Sequence, residues 1–291
     1  MILNCGNAVN SIKERIALYP KGKKIGIINV GNNPSSKSYI YSKQAMGIDT
    51  NIPCIIKHFD EDADEVDISS CIIEMNNNPD IGGIILQLPL PKHLNTVKLI
   101  NMISPHKDID CLTSYNMGRL MNNNYVIAPC TPTGIIELLK YHEFPLKGKD
   151  VLIINRSEIV GKPLAHLFLN EDATVIIAHS KTKNLKDKIK AADIIVTAVG
   201  KKNFISYSLL KELDDMKDDK IIIDVGINKV DDSDPTSKKI CGDVQYNCTS
   251  DIDKIDKLKH VYVTPVPKGI GPLTVVSLFL NTILLNHKSR S

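Results

Sequence analysis

At 291 residues, with 43% hydrophobic and 24% charged residues, the chain has the make-up of a globular protein and the length for two α/β domains. A net charge of +3 is too small to mark a nucleic-acid partner, and the lysine-rich stretch 181–190 reads as a solvated helix face. No apolar run approaches the roughly 20 residues that span a bilayer, and the start of the chain has no basic-then-apolar leader. The seven cysteines include no C-x-x-C pair, which fits scattered thiols in a reducing compartment and not a disulfide framework or a zinc site. The expectation is a cytoplasmic protein.

Apolar strand-like runs alternate with helical patterns from end to end, which predicts parallel sheets covered by helices. Strands are expected at 24–30, 54–58 and 83–88, with helices at about 7–19, 36–47 and 64–77. The segment 105–134 changes character. It holds Pro105, Pro129 and Pro132, the polar run Asn122-Asn123-Asn124 and no strong periodicity, and so marks the crossing between domains. A second series of apolar runs, at 151–154, 173–178, 193–198 and 220–225, has the spacing of a dinucleotide-binding half-sheet. After the loop from Thr264 to Pro272 comes a helix over about 272–286, apolar on nearly all sides, which has to be buried between or onto the domains. The expected architecture is α/β in two domains. A parallel α/β domain covers 1–132 and is completed by the C-terminal helix 271–291, and a Rossmann-like dinucleotide-binding domain covers 133–270.

The first strand of the second series runs into Asn155-Arg156-Ser157-Glu158-Ile159-Val160-Gly161-Lys162-Pro163. A strand, a polar loop with glycine and a helix start can offer backbone N–H groups to a pyrophosphate, and Pro163 suits a first helical turn. The full G-x-G-x-x-G pattern is absent. The next strand ends in Ala178-His179-Ser180-Lys181, without the carboxylate that grips a ribose 2′-hydroxyl. Arg156, Ser180 and Lys181 instead favour the 2′-phosphate of NADP. Taken singly, Arg156 capping a carbonyl and Ser180 opening a turn serve equally well. In the first domain Ser36, Tyr39 and Lys43 stand at i, i+3 and i+7, one face of a helix. Alone, that face is explained by a packed tyrosine and a lysine reaching for water. The Tyr39-x-x-x-Lys43 spacing also occurs in short-chain dehydrogenases, but there it follows the cofactor loop and here it lies far ahead of one. Gln87 closes the 83–88 run at the strand end where ligands bind, and Pro105-His106-Lys107-Asp108-Ile109-Asp110 then brings two carboxylates.

Taken together, these stretches resemble the bifunctional methylenetetrahydrofolate dehydrogenase/methenyltetrahydrofolate cyclohydrolase family over nearly the whole chain. The motifs come in the family's order: Ser36-x-x-Tyr39-x-x-x-Lys43, Gln87-Leu88-Pro89-Leu90-Pro91, Lys107-Asp108-Ile109-Asp110 and Pro129-Cys130-Thr131-Pro132-x-Gly134. Then follow Arg156-Ser157-x-Ile159-Val160-Gly161-Lys162-Pro163, His179-Ser180-x-Thr182, Gly242-Asp243-Val244 and Thr264-Pro265-Val266-Pro267. The resemblance implies a catalytic set of Lys43, Gln87, Tyr39, Asp110 and Ser36, with Tyr39 stacking on the folate and Asp110 anchoring the pterin. It places Leu88, Pro89, Pro267, Gly271 and Pro272 with Tyr39, Lys43 and Asp110 along the substrate. NADP falls to Arg156, Ser157, Gly161, Ser180, Ile227, Thr264 and Pro265, with no metal. A homodimer paired through the nucleotide-binding domains is implied as well.

The implied chemistry suits these side chains. Loss of a hydride from the bridging carbon of methylenetetrahydrofolate to the nicotinamide needs alignment and no protein base. Water then attacks the methenyl cation, and Lys43 is expected to manage the proton that leaves as the ring opens to 10-formyltetrahydrofolate. Four departures stand against the family pattern. Asn155 and Cys111 occupy usual glycine positions, Lys268 replaces the first glycine of a Pro-Gly-Gly-Val-Gly-Pro loop, and Asn4-Cys5-Gly6 alters the usual start. A side chain at 155 is expected to crowd the cofactor turn at a cost of roughly 1–3 kcal/mol. Two other readings stay open at this point: a protein that is mainly a cyclohydrolase, and a non-enzymatic NADP-binding scaffold. A shikimate-type dehydrogenase shares the two-domain plan but explains neither the Gln87 strand nor the segment from Pro129 to Gly134.

Overall fold

The computed structural model describes residues 1–229, 240–245 and 255–288, so the last three residues of the expected 271–291 segment lie outside the described residues. The chain divides into two units: 1–9 with 131–274, and 10–130 with the segment from 275 onward.

Helix α1 (Cys5–Ala17) leads into a three-stranded parallel sheet of β1 (Lys24–Val30), β2 (Cys54–Phe59) and β3 (Ile81–Leu86), in the order β2-β1-β3. β1 is buried at every residue after its first, as befits a central parallel strand covered on both faces. Between the strands run α2 (Pro34–Thr50) and α3 (Glu65–Asn77). Ile28, Ile68, Ile72, Ile84 and Leu99 pack into one core cluster.

Helix α2 is longer than the expected 36–47, and its ends show why. The Asn33 side chain accepts the N–H of Ser36 at 3.3 Å, and Pro34 opens the first turn, where a missing donor costs nothing. At the other end Asn51 takes a left-handed φ of 55°. The N–H groups of Asn51 and Ile52 then reach back to the carbonyls of Ile48 and Gly47, which closes the helix.

The segment 105–134, expected as the crossing between domains, contains the boundary of the two units at 130/131 and also carries a helix. α5 (Ser114–Met121) follows α4 (Thr96–Met102), and the Asn95 and Thr113 side chains cap them by accepting from Lys98 and Asn116. At seven and eight residues these helices are too short for apolar periodicity to declare them. The tract before α5 also lies along β3. The Ile84 N–H donates to the Lys107 carbonyl at 2.7 Å. A Cβ on Gly83 would sit 2.6 Å from the Ile109 side chain, so glycine is what admits that tract.

In the other unit α6 (Cys130–Tyr141) precedes a five-stranded parallel sheet. Its strands are β4 (Asp150–Ile154), β5 (Thr174–Ala178), β6 (Ile194–Thr197), β7 (Lys220–Asp224) and β10 (Val261–Val263), in the order β10-β7-β6-β4-β5. Helices α7 (Gly161–Asn170), α8 (Leu185–Ala191) and α9 (Tyr207–Asp215) connect them, and β8 (Asn228–Lys229) with β9 (Ile240–Cys241) forms a short antiparallel ribbon. Four of the five strands match the expected runs within a residue. The fifth, β10, has only three residues and gives no alternation to read. The first residues of the chain extend the sheet beside it: Leu3 N–H donates to the Val263 carbonyl at 2.9 Å, and the Met1 ammonium to that of Val261 at 2.6 Å.

The last helix, α10 (Ile270–Lys288), is longer than the expected 272–286. Among the described residues it is the one helix long and apolar enough to cross a membrane, although the sequence reading found no run approaching that length. Of the stretch 270–287, 67% is buried in protein. Asn281 and Thr282 are fully buried and bonded to carbonyls, as polar groups in a core helix have to be.

Candidate active site

Helix α2 turns Ser36, Ile40, Lys43, Met46 and Thr50 inward, a spacing of three to four residues that makes one face. Lys43 is only 8% exposed, far from the solvated lysine that its helix alone would suggest. Its Nζ donates to Gln87 Oε1 at 2.9 Å. Gln87 lies one residue beyond β3, which ends at Leu86 and not at 88, and its own N–H still pairs with the Ile28 carbonyl at 2.8 Å. Its Nε2 donates to the Leu88 carbonyl at 2.9 Å, which fixes the amide with its oxygen toward Lys43. Ser36 Oγ shares the Leu88 carbonyl at 3.5 Å, and the following Leu88-Pro89 bond is cis. Tyr39 stands one turn before Lys43, half-buried, and burial pushes its phenol up.

The two loop carboxylates divide their duties. Asp108 is buried and accepts from the N–H groups of Leu112 (3.1 Å) and Thr113 (2.9 Å) and from Asn116 Nδ2 (2.9 Å), so it holds the start of α5. Asp110 is half-buried. Burial raises its carboxyl pKa, the positive charge of Lys43 opposes that, Asp108 adds to it, and a hydrogen bond from Cys130 lowers it again. The Cys130 thiol donates to Asp110 Oδ1 at 3.6 Å, and burial followed by the Asp110 charge pushes that thiol well above its usual range. Asn281 Nδ2 bonds the carbonyls of Ile109 and Ala128, both at 2.9 Å, and clamps the chain on either side of the pair. Cys54 is also near: burial raises its thiol to about 11, and Lys43 pulls it down. An amine held by one neutral acceptor and facing the field of a half-buried carboxyl can give and take a proton away from bulk water.

Because the five strands of the other sheet are parallel, the loops that follow them line one edge. Arg156, Ser157 and Gly161 follow β4, Ser180 follows β5, Ile227 follows β7, and Thr264 and Pro265 follow β10. Arg156, Ser180, Lys181 and Ile227 are exposed there. A turn closed by Thr182, whose hydroxyl accepts from the His179 N–H at 2.8 Å, presents Ser180 and Lys181. The end of β5 carries no acid, and two exposed cations with a serine hydroxyl fit the 2′-phosphate of NADP. Thr264 is spent inside instead: it is fully buried and its hydroxyl accepts the Asp224 N–H at 2.7 Å. Pro267, exposed after a second cis bond, and Gly271 and Pro272 in the first turn of α10 belong to this unit, whereas Lys43 belongs to the three-stranded one.

Asn155 overturns the expectation of a crowded turn. It is not among the residues with positive φ. Its Oδ1 accepts from the N–H groups of Ser157 (2.7 Å) and Gly161 (3.1 Å), and its Nδ2 donates to the Ala198 carbonyl at 2.6 Å. The side chain ties the loop together where a glycine would leave those groups to find other partners. Cys111 (φ 57°) and Lys268 (φ 74°) do take left-handed backbone in place of glycine.

Cys130, which bonds Asp110, and Asn281 were not among the expected site residues. Asn281 carried a signal, being a carboxamide in a helix apolar nearly all round, where burial demands a partner.

A buried lysine on one parallel α/β unit, in a chain whose other unit is a five-stranded parallel sheet with a basic edge, defines a two-domain, nucleotide-dependent enzyme. Residues 6–110 match the family description tetrahydrofolate dehydrogenase/cyclohydrolase, catalytic domain, and residues 129–290 match its NAD(P)-binding domain. The chain belongs to the tetrahydrofolate dehydrogenase/cyclohydrolase family. It is 42% identical over 277 residues to the bifunctional protein FolD of a Nitratiruptor species, covering 94% of this chain and 92% of that one. Among solved structures it is similar to the bifunctional FolD of Campylobacter jejuni, at a TM-score of 0.86 and 31% identity over 99% of both chains. It is also similar to the Trypanosoma brucei methylenetetrahydrofolate dehydrogenase-cyclohydrolase, solved with NADP and an inhibitor, at a TM-score of 0.84 and 28% identity over 100% of this chain and 99% of that one.

Proposed function

We propose that this chain oxidises 5,10-methylenetetrahydrofolate to the methenyl form with NADP, and hydrolyses the methenyl form to 10-formyltetrahydrofolate, at one site centred on Lys43. The observation that carries this reading is the buried Lys43 ammonium, bonded to Gln87 and set in the field of Asp110. The nucleotide supplies a hydride acceptor when bound. Arg156, Ser157, Gly161, Ser180, Ile227, Thr264 and Pro265 would hold it. Tyr39 stacks on the folate, and Asp110 pairs with the amino and ring N–H groups of the pterin. On the three-stranded unit Leu88 and Pro89 bound the substrate, and Pro267, Gly271 and Pro272 are the substrate residues assigned to the other unit. As the neutral amine, Lys43 takes the proton released as water adds to the methenyl carbon, and Gln87 Oε1 accepts from the ammonium so formed. Ser36 steadies the same turn through the Leu88 carbonyl.

The chain works as a homodimer paired through the nucleotide-binding units, a reading supported by the uncovered apolar edge at β5, where Ile176 is 43% and Ile177 39% exposed. Among the described residues Cys5, Cys54, Cys71, Cys111, Cys130 and Cys241 are free thiols, which supports a cytoplasmic setting.

One spectrophotometric series tests the reading. The protein is followed with methylenetetrahydrofolate plus NADP, then NAD, and its methenyl hydrolysis is measured separately. Lys43→Met is expected to lower hydrolysis by about 10²–10⁴-fold, the usual worth of a positioned proton-transfer group, with nucleotide affinity retained. Normal hydrolysis in that variant would refute the assignment. Hydrolysis without NADP reduction in the wild type would select a protein that is mainly a cyclohydrolase.

A further inference from the structure

Two buried acids in the five-stranded unit have no part in the chemistry described so far. Asp224 ends β7, and Asp243 lies in the Gly242-Asp243-Val244 motif; they are 1% and 0% exposed. Asp243 Oδ2 accepts from Thr197 Oγ1 (3.0 Å) and the Val199 N–H (2.7 Å), and its Oδ1 from the Lys201 N–H (2.9 Å) and Asn228 Nδ2 (3.2 Å). Asp224 Oδ1 accepts from the N–H groups of Gly226 (2.9 Å) and Asp243 (3.0 Å), and its Oδ2 from that of Val244 (2.9 Å). Its own N–H reaches Thr264 Oγ1. Two acids thus tie together the loops after β6 and β7, the 242–244 strip and the residue after β10. Glycines make the room: a Cβ on Gly226 would collide with the Asp243 carboxylate, and one on Gly242 with that of Asp224. Burying two acids side by side is costly, and burial with the Asp243 charge pushes Asp224 up to about 7. Five of the seven donors around them are backbone N–H groups, and three of these, at Val199, Lys201 and Gly226, lie in loops at the carboxyl ends of parallel strands, the edge where an open α/β sheet receives its ligand.

We propose that Asp243, braced by Asp224, is a positioning residue for the nicotinamide nucleotide: it sets the 198–201 and 225–228 loops, and with them the exposed Ile227, in the shape the cofactor packs against. The inference rests on the nucleotide site described above. Asp243 touches no reacting atom. Its effect falls on cofactor binding and leaves hydrolysis, which consumes no nucleotide.

The two activities give the test its internal control. Asp243→Asn keeps the size of the side chain but sets an NH₂ against one of its present donors, Val199 or Lys201. It is expected to raise the KM for NADP by about tenfold or more, the worth of one mismatched buried group. The kcat at saturating NADP and the rate of methenyl hydrolysis stay within about twofold. Thr197→Val, which removes one donor and little volume, moves KM the same way by less. An unchanged KM in both variants overturns the proposal, and so does a parallel fall of both activities, which marks a purely structural role. Should Asp243→Asn not fold, Thr197→Val decides alone. Arg156→Ala is run beside them: if its KM for NADP is unchanged, the nucleotide-site reading itself has failed and not the role of Asp243.

Discussion

At the scale of single residues, two of the family's missing glycines have opposite consequences. Asn155 sits in ordinary backbone and makes three hydrogen bonds with its loop. Asn155→Gly therefore removes partners and adds freedom to the unfolded chain, and is expected to cost about 1–3 kcal/mol in a urea titration. Lys268 is exposed and held at φ 74°. There Lys268→Gly relieves left-handed strain of about 1–2 kcal/mol, partly offset by the same unfolded-state freedom. The net gain is expected to raise Tm by roughly 1–3 °C in a thermal scan, and a lower Tm would show that Lys268 has a partner that outweighs its strain. Both departures were visible in the sequence, but their signs were not. The sign depends on φ and on which N–H groups lie within reach, and neither is written in residue type. The Lys43 face was legible in the same partial way. Spacing put Ser36, Tyr39 and Lys43 together, whereas Gln87 and Asp110 come from distant segments, the first placed by the pairing of β1 with β3 and the second by that of 107–109 along β3.

At the scale of elements, β5 shows how an apolar run can mislead. Its Thr-Val-Ile-Ile-Ala sequence is as apolar as that of a strand covered on both faces, and the run 173–178 gives no sign of its place in the sheet. In the sheet it is an edge, and Ile176 and Ile177, which point to opposite faces, are both substantially exposed. A bare apolar edge invites strand pairing or aggregation unless a partner covers it. On the dimer reading a second copy provides that cover, which explains why the run is apolar although its own sheet does not bury it. Ile177→Lys is then expected to convert a dimer to a monomer in size-exclusion chromatography with light scattering, with the far-UV spectrum unchanged. A wild type that runs as a monomer at micromolar concentration would sink the idea before any variant is made. Short elements were lost for the reverse reason. α4, α5 and β10 are too brief for a period to emerge, and they are fixed by caps and neighbours: Asn95, Thr113 and the Met1–Leu3 strip.

At the scale of the molecule, the proposed proton chemistry and the proposed nucleotide site fall in separate units, each with its own parallel sheet. That separation can be read out by ligand-linked stability. A nucleotide that binds only the folded protein stabilises it by about 2.7 kcal/mol at a hundred times its Kd, equivalent to roughly 5–10 °C in Tm for a chain of this size. NADP is expected to produce that shift in the wild type and the same shift in Lys43→Met, because Lys43 belongs to the three-stranded unit. Arg156→Ala should lose most of it. Hydrogen exchange makes the prediction local, since protection by NADP should concentrate at 155–161, 179–182 and 225–228. These are the loops that follow β4, β5 and β7, where the basic side chains and Ile227 lie. Stabilisation in the wild type with none in Lys43→Met would mean that the lysine supports nucleotide binding directly. Proton transfer and cofactor binding would then have to be assigned to one cluster of residues and not two.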